Sequence, residues 1–438
     1  MAKPIVAIVG RPNVGKSTLF NQLAGKRISI VEDTPGVTRD RIYADSEWLN
    51  TAFTMIDTGG IEPDSQDELL QQMKYQAEIA IETADVILFL TDAKEGITST
   101  DRDVADLLRK SEKPIVLAVN KIDTQEEEAG LYEFYNLAIG EPMSISASHK
   151  RGIGDMLDEI VKCFPPVGVV EDEEDVIHIA VVGKPNVGKS SLVNRLLRQE
   201  RVIVSDIPGT TRDAIDTPAE IDGGKYVIID TAGIRRKSRV SDSLERYSVI
   251  RALSAIRRCD VALIVIDTTM EVTEQDTKIA GLVHEEGKGS ILVMNKWDTI
   301  EKQTNTMNKY RQRLMNDLSF MTYAPSVFIS AKTGQRVERI LELVKFVYQQ
   351  CTFRISTGVL NDCLADAIAV NEPPSDKGRR LKILYGTQVS VKPPTFVLFV
   401  NDPDLMHYSY KRYLENYLRK TFGLEGTPLH IILREKNK

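Results

Sequence analysis

Residues 4–17 read PIVAIVGRPNVGKS and residues 177–190 read IHIAVVGKPNVGKS, nearly the same phrase 173 positions further on. Each opens as an apolar run of the kind that forms a buried strand, passes through the pattern GxxxxGK[ST], and ends where a helix can begin. The offset persists along the chain. PGVTRD at 35–40 is answered by PGTTRD at 208–213, and DTGG at 57–60 by DTAG at 230–233. NKID at 120–123 and NKWD at 295–298 have drifted by two positions, and Ser146-Ala147-Ser148 against Ser330-Ala331-Lys332 by more, as loop insertions would cause. The chain therefore carries one domain twice.

The stretches around these phrases alternate between strand and helix. IVAIVG, DVILFLTD and PIVLAVNK are continuous apolar runs, and DELLQQMKYQAEIAIETA is amphipathic. Runs of this kind separated by helices predict a mostly parallel sheet covered on both faces, hence two doubly wound α/β domains. Between them, PPVGVVEDEEDVI at 165–177 combines proline, glycine and five acids, a composition that builds no core and predicts a solvated linker.

Length agrees with that division. At about 150 residues per domain, 438 residues suggest three. The predicted boundaries are a first nucleotide-binding domain at 1–164, an acidic linker at 165–176, a second nucleotide-binding domain at 177–350 and a smaller domain at 351–438. Hydrophobic residues at 42% and charged residues at 27% fit water-soluble cores. No run approaches 18 apolar residues and no secretory leader is visible, so a cytoplasmic location with no membrane contact is expected. Cys163, Cys259, Cys351 and Cys363 are scattered, which excludes a CxxC metal or redox frame and leaves them as packing residues. The net charge of -7 is uneven: residues 354–438 hold 13 Lys and Arg against 9 Asp and Glu, so an acidic body ends in a basic tail suited to polyanions.

Chemistry follows from the repeated phrases. In Gly10-Arg11-Pro12-Asn13-Val14-Gly15-Lys16-Ser17 and Gly183-Lys184-Pro185-Asn186-Val187-Gly188-Lys189-Ser190, glycines permit a turn whose backbone N–H groups face phosphate oxygens. Lys16 and Lys189 are then placed to reach the β- and γ-phosphates, and the hydroxyls of Ser17 and Ser190 to ligate Mg2+. Base identity comes from Asn120, Lys121 and Asp123, and from Asn295, Lys296 and Asp298, at the ends of buried strands. A carboxylate accepts two hydrogen bonds from the N1–H and 2-amino group of guanine, which adenine does not offer, so GTP is selected over ATP. Ser146 with Ala147, and Ser330 with Ala331, are expected to add backbone contacts to the guanine oxygen. Asp57 and Asp230 are expected to hold the magnesium shell through water, Thr38 and Thr211 to complete it, and Gly60 and Gly233 to donate to the γ-phosphate and hinge when it leaves. Ile61 and Ile234 occupy the position where many GTPases orient water with glutamine, and neither side chain can do so. Catalysis is then assigned to positioning and charge neutralisation.

In that substitution the domains resemble the hydrophobic-substituted GTPases of the translation-factor-related class. The resemblance implies that Asn13 and Asn186 coordinate K+ in place of an arginine finger, with Arg39 and Arg212 as competing sources of charge. With two such domains in one chain, the sequence resembles the EngA/Der family of bacterial tandem GTPases along nearly its whole length. That resemblance implies GTP hydrolysis as a molecular switch in assembly of the large ribosomal subunit, contact with its RNA, a monomeric state, and a C-terminal KH-like domain. The pattern of the tail fits: a helix near 358–370, strands LKILYGTQVSV and TFVLFVND, a helix over 408–421 and a last strand LHIILRE. It departs from nucleic-acid-binding KH modules in that its one GxxG, Gly423-Leu424-Glu425-Gly426, falls between the helix over 408–421 and the last strand and not between two helices, so Lys377, Arg379, Arg380 and Lys382 either meet structured RNA or face solvent. Tyr408, Tyr410, Tyr413 and Tyr417 are open between a stacking platform and helix packing. Two functional readings also stay open. Both domains turn over GTP, or one is a regulatory nucleotide sensor and only the other turns over. A third, a tRNA-modification GTPase, would need a cofactor domain and catalytic cysteine that the sequence does not show.

Overall fold

The computed structural model describes residues 3–24, 43–58, 66–124, 127–165, 176–197, 202–203, 216–221, 223–229, 244–301, 303, 305–376 and 379–435. The chain divides into two compact units, Met1–Glu171 with Arg239–Ser254, and Asp172–Ser238 with Ala255–Lys438.

In the first unit the strands are β1 (Ile5–Val9), β2 (Tyr43–Trp48), β3 (Thr51–Asp57), β4 (Val86–Asp92), β5 (Ile115–Asn120) and β6 (Pro142–Ser144), in the sheet order β2-β3-β1-β4-β5-β6. All neighbours are parallel except β2 with β3. The helices are α1 (Lys16–Ala24), α2 (Gln66–Thr83), α3 (Ser99–Arg109) and α4 (Ile153–Lys162). Every residue of β1 and β4 is buried. That is why these strands are apolar up to the Thr91-Asp92 end of β4: a parallel sheet covered on both faces leaves no polar side. Ile5, Val9, Phe89 and Leu117 pack on one face, Val6, Leu88, Phe20 and Leu157 on the other.

The second unit repeats the plan with β7 (Val176–Val182), β8 (Val202–Ile203), β9 (Thr217–Ile221), β10 (Gly224–Ile229), β11 (Val261–Asp267), β12 (Gly289–Asn295) and β13 (Ser326–Phe328). Its order, β13-β12-β11-β7-β10-β9-β8, is that of the first sheet with one further strand at the antiparallel edge. Strand β7 starts at Val176, one residue before the boundary predicted from sequence. The helices are α5 (Lys189–Leu197), α6 (Leu244–Arg258), which belongs to the first unit as far as Ser254, α7 (Glu274–Glu285), α8 (Thr306–Asp317) and α9 (Glu338–Thr352). In both sheets the chain leaves the first strand where the strand order reverses, the place where open α/β sheets bind ligands.

The same unit holds the C-terminal domain: α10 (Thr357–Val370), a short pair β14 (Ser375–Asp376) and β15 (Arg379–Arg380), then β16 (Ile383–Ser390), β17 (Thr395–Val400), α11 (Tyr408–Phe422) and β18 (His430–Glu435). The last three strands form a mixed sheet, antiparallel between β16 and β17 and parallel between β17 and β18. Leu360, Leu364, Leu414 and Leu418 of its helices pack on Phe396, Leu398 and Ile431. Tyr410, Tyr413 and Tyr417 join this packing, and the hydroxyls of Tyr410 and Tyr413 donate to the carbonyls of Asn371 and Ala367. Of the four tyrosines only Tyr408 is exposed, so the stacking-platform alternative fails for the other three. Cys259, Cys351 and Cys363 are buried and Cys163 half-buried, all as free thiols.

Backbone bonds tie this domain to the second sheet. Ser290 donates to the Gly426 carbonyl at 2.7 Å, Gly426 to the Tyr323 carbonyl at 2.8 Å, and Lys392 Nζ lies 3.0 Å from Asp260 Oδ1. Asp260 and Ser290 stand at the N-terminal ends of β11 and β12, opposite the end that carries the glycine-rich turn.

Candidate nucleotide sites

The turn between β1 and α1 is built on glycine for reasons of space as well as conformation. Gly15 has φ +99°, and a Cβ there would stand 2.3 Å from Asn120 Nδ2; at Gly10 it would stand 2.4 Å from the Leu90 carbonyl oxygen. Gly188 and Gly183 repeat both constraints against Asn295 and Val265. Asn13 and Asn186 each have φ +63°, a left-handed conformation that asparagine tolerates better than most residues. The turn's own carbonyls hold its lysine. Lys16 Nζ donates to the oxygens of Gly10 at 2.7 Å and Arg11 at 2.6 Å, and Lys189 Nζ to those of Gly183 at 2.6 Å and Lys184 at 2.8 Å. Burial lowers both ammonium groups to about 8. Ser17, at the first turn of α1, donates to Asp57 Oδ2 at 3.2 Å.

The asparagines of the two NKxD segments act on the loops around them. Asn120 Nδ2 donates to the Val14 carbonyl at 2.7 Å, and its Oδ1 accepts from the Ala147 amide at 2.9 Å. Asn295 makes the same two bonds, to Val187 at 2.8 Å and from Ala331 at 2.9 Å. Ser146 with Ala147, and Ser330 with Ala331, are the pairs expected to contact the guanine oxygen; here the alanine amides bond to asparagine, because the strand end brings its carboxamide beneath that loop. Lys121 pairs with Asp92 and Lys296 with Asp267. Sequence reasoning passed over these two aspartates. The signal was there, an acid closing each of the apolar runs VILFLTD and VALIVID.

Asp123 accepts from Ser146 Oγ at 2.7 Å and from Lys94 Nζ at 3.0 Å, and these two bonds hold its carboxyl below the usual range. The position matching Lys94 in the second domain, two residues after Asp267, is Thr269, which bonds to Asp267 instead. Thr38, Gly60, Ile61, Thr211, Asp230, Gly233, Ile234, Arg39, Arg212 and Lys377 lie outside the described residues.

A profile described as "50S ribosome-binding GTPase" matches residues 5–121 and again 178–296, and one described as "KH-domain-like of EngA bacterial GTPase enzymes, C-terminal" matches 354–434. The chain is 65% identical to the GTPase Der of Acetivibrio thermocellus and 64% identical to that of Ruminiclostridium cellulolyticum, in both cases over 100% of either chain. The chain belongs to the EngA/Der family of GTPases. The fold expected from its sequence, two phosphate-loop GTPase domains and a KH-like domain, is the one observed. As an EngA/Der protein it binds guanine nucleotides and hydrolyses GTP, and each glycine-rich turn described above, with the asparagine and lysine of each NKxD segment, lies within a matched stretch. Among the described residues no helix is long and apolar enough to cross a membrane.

Proposed function

We propose that both domains turn over GTP, and that the protein is a monomeric cytoplasmic switch on large-subunit ribosomal particles. The observation that carries the first part is the repetition of a complete network. Lysine on two loop carbonyls, asparagine between phosphate loop and Ser-Ala loop, and aspartate on the NKxD lysine occur in both domains. Both domains therefore keep, in the same geometry, the lysine that meets the phosphates. In each, backbone N–H groups of the loop bind phosphate oxygens, Lys16 or Lys189 neutralises the β- and γ-phosphates, and Asp123 or Asp298 reads guanine.

A hydroxyl beside a carboxylate is an oxygen donor set suited to Mg2+, so Ser17 and Asp57 would hold it in the first domain, and Ser190 and Asp230 in the second. When bound, the ion neutralises charge on the phosphates. Thr38 and Thr211 would complete that shell, and Gly60 and Gly233 would sense the γ-phosphate, so that hydrolysis releases the segments around them. For K+ on Asn13 and Asn186, the support is the resemblance alone, and the left-handed backbone is a separate reason for asparagine at both positions.

The ribosomal target is supported by the match to a 50S ribosome-binding GTPase profile and by the basic tail. Lys382 is exposed, and Arg379 and Arg380 are exposed but paired with Asp402 and Glu372, so phosphate contact there exchanges one ion pair for another. The alternative of unequal domains is favoured by one asymmetry: Lys94 occupies Asp123 in the first domain, and its counterpart is Thr269. Sedimentation with large-subunit particles tests the proposal. Binding with a non-hydrolysable GTP analogue, little with GDP, and weakening as salt rises is the expected result. Equal cosedimentation with both nucleotides rejects the switch.

A further inference from the structure

The residue after the first glycine of each phosphate loop is a cation whose side chain turns away from the loop. Arg11 Nε donates to Asp101 Oδ1 at 3.0 Å, and Arg11 Nη1 lies 2.5 Å from Glu95 Oε2. Lys184 Nζ donates to Asp276 Oδ2 at 2.9 Å. Asp101 and Asp276 are wholly buried and belong to the first turns of α3 and α7. Each is also locked by its helix cap. Asp101 Oδ2 accepts from the Thr98 amide at 3.0 Å and hydroxyl at 2.8 Å, and Asp276 Oδ2 accepts from those of Thr273 at 3.0 and 2.7 Å. The anchor is therefore a buried carboxylate held by the cap of its own helix, on the first turn of that helix.

A buried ion pair adds little net stability over apolar packing, so its presence twice, once with arginine and once with lysine, calls for another role. The backbone carbonyl of Arg11 accepts from Lys16 Nζ, and that of Lys184 from Lys189 Nζ. Pinning the side chain pins the carbonyl of the same residue, and with it the position of the ammonium group. We infer that Arg11 with Asp101, and Lys184 with Asp276, are positioning pairs that aim the phosphate lysine for γ-phosphate transfer. The inference rests on the assignment of Lys16 and Lys189 to the phosphates.

The two sites are read one at a time in the full chain, with the other silenced by Lys189→Ala or Lys16→Ala. Asp101→Asn and Asp276→Asn keep an oxygen for the helix cap but remove the charge. Each should lower kcat of its own domain about tenfold or more, as displaced reacting groups do, with KM and preference for GTP over XTP changed less than about twofold. Arg11→Lys and Lys184→Arg should retain most activity, since each supplies the cation the other domain uses. Lys184→Met combined with Asp276→Asn leaves no buried unpaired charge and guards against misfolding; it should show the same loss of kcat. Wild-type kcat in that double variant overturns the positioning role. So does a fall in melting temperature and rise in KM with kcat intact, the mark of a structural pair. If Lys16→Ala and Lys189→Ala themselves leave hydrolysis undiminished, the assignment of the lysines fails instead.

Discussion

Asn120 joins the phosphate loop to the base side of the first site, donating to the Val14 carbonyl at 2.7 Å while accepting from the Ala147 amide at 2.9 Å. The bond to Val14 reaches past β4, which separates β1 from β5 in the sheet, and Asn295 repeats both bonds. Asn120→Ala or Asn295→Ala leaves a buried carbonyl and a buried amide without partners, each worth about 1–3 kcal/mol. Guanine-nucleotide affinity of that domain should fall at least about tenfold by calorimetry with the other site silenced. An unchanged affinity would show that the two loops hold their places without the staple.

Asp123→Asn and Asp298→Asn should each weaken GTP in its own domain and favour xanthine nucleotides, whose 2-oxo group accepts where guanine donates. Because Asp123 is also paired with Lys94, Lys94→Thr should tighten GDP at the first site by no more than about fivefold, the modest worth of an exposed ion pair. Competition binding with GTP and XTP reads both effects, and undiminished GTP binding by both aspartate variants would remove the base assignment.

The lowered lysines set a pH dependence. With Lys16 and Lys189 at about 8 against 10.5 for an ordinary lysine, the unfolded chain binds more protons between those values, so stability without nucleotide rises as pH climbs through that window. Phosphates favour the charged form, so binding takes up a proton above pH 8. Affinity for GTP should therefore drop between about pH 8 and 9, by up to about tenfold at each site, with proton uptake visible in buffers of different ionisation enthalpy. Lys16→Ala and Lys189→Ala should abolish that slope at their own sites.

Replacing Asn13 or Asn186 with glycine separates two reasons for asparagine. Glycine keeps the left-handed backbone and removes the carboxamide. If the side chain coordinates K+, the rate increase on exchanging Na+ for K+ disappears in Asn13→Gly and Asn186→Gly. A stimulation that survives assigns the residue to backbone geometry and moves the catalytic charge to Arg39 and Arg212.

At the seam with the KH-like domain, Gly426 has φ +78°, and a Cβ would come within 2.4 Å of Val347 Cγ2. Gly426→Ala should cost about 1–3 kcal/mol of stability, seen as a lowered melting temperature. Nucleotide affinity of the second domain should stay unchanged, because the seam lies at the opposite strand ends.

The sequence by itself determined the duplication, the parallel α/β class, the glycine-rich turns and the place of the NKxD segments at strand ends. These are contiguous stretches whose chemistry depends on residue type within a single turn or strand end, so a repeat in the letters is a repeat in the structure. It also carried the KH-like pattern and most of its helix and strand limits. Tertiary structure alone decided which charges meet. The parallel register sets Asp92 beside Asn120 and Asp267 beside Asn295, which delivers each aspartate to the following lysine. Arg11 and Asp101 stand 90 positions apart, and nothing local to either names the other. The same holds for the seam, where Ser290, Gly426 and Tyr323 exchange backbone bonds that any residue types could make. Backbone groups carry no letter, and the partner of a buried charge is chosen by strand order and register, so both become visible only once the chain is folded.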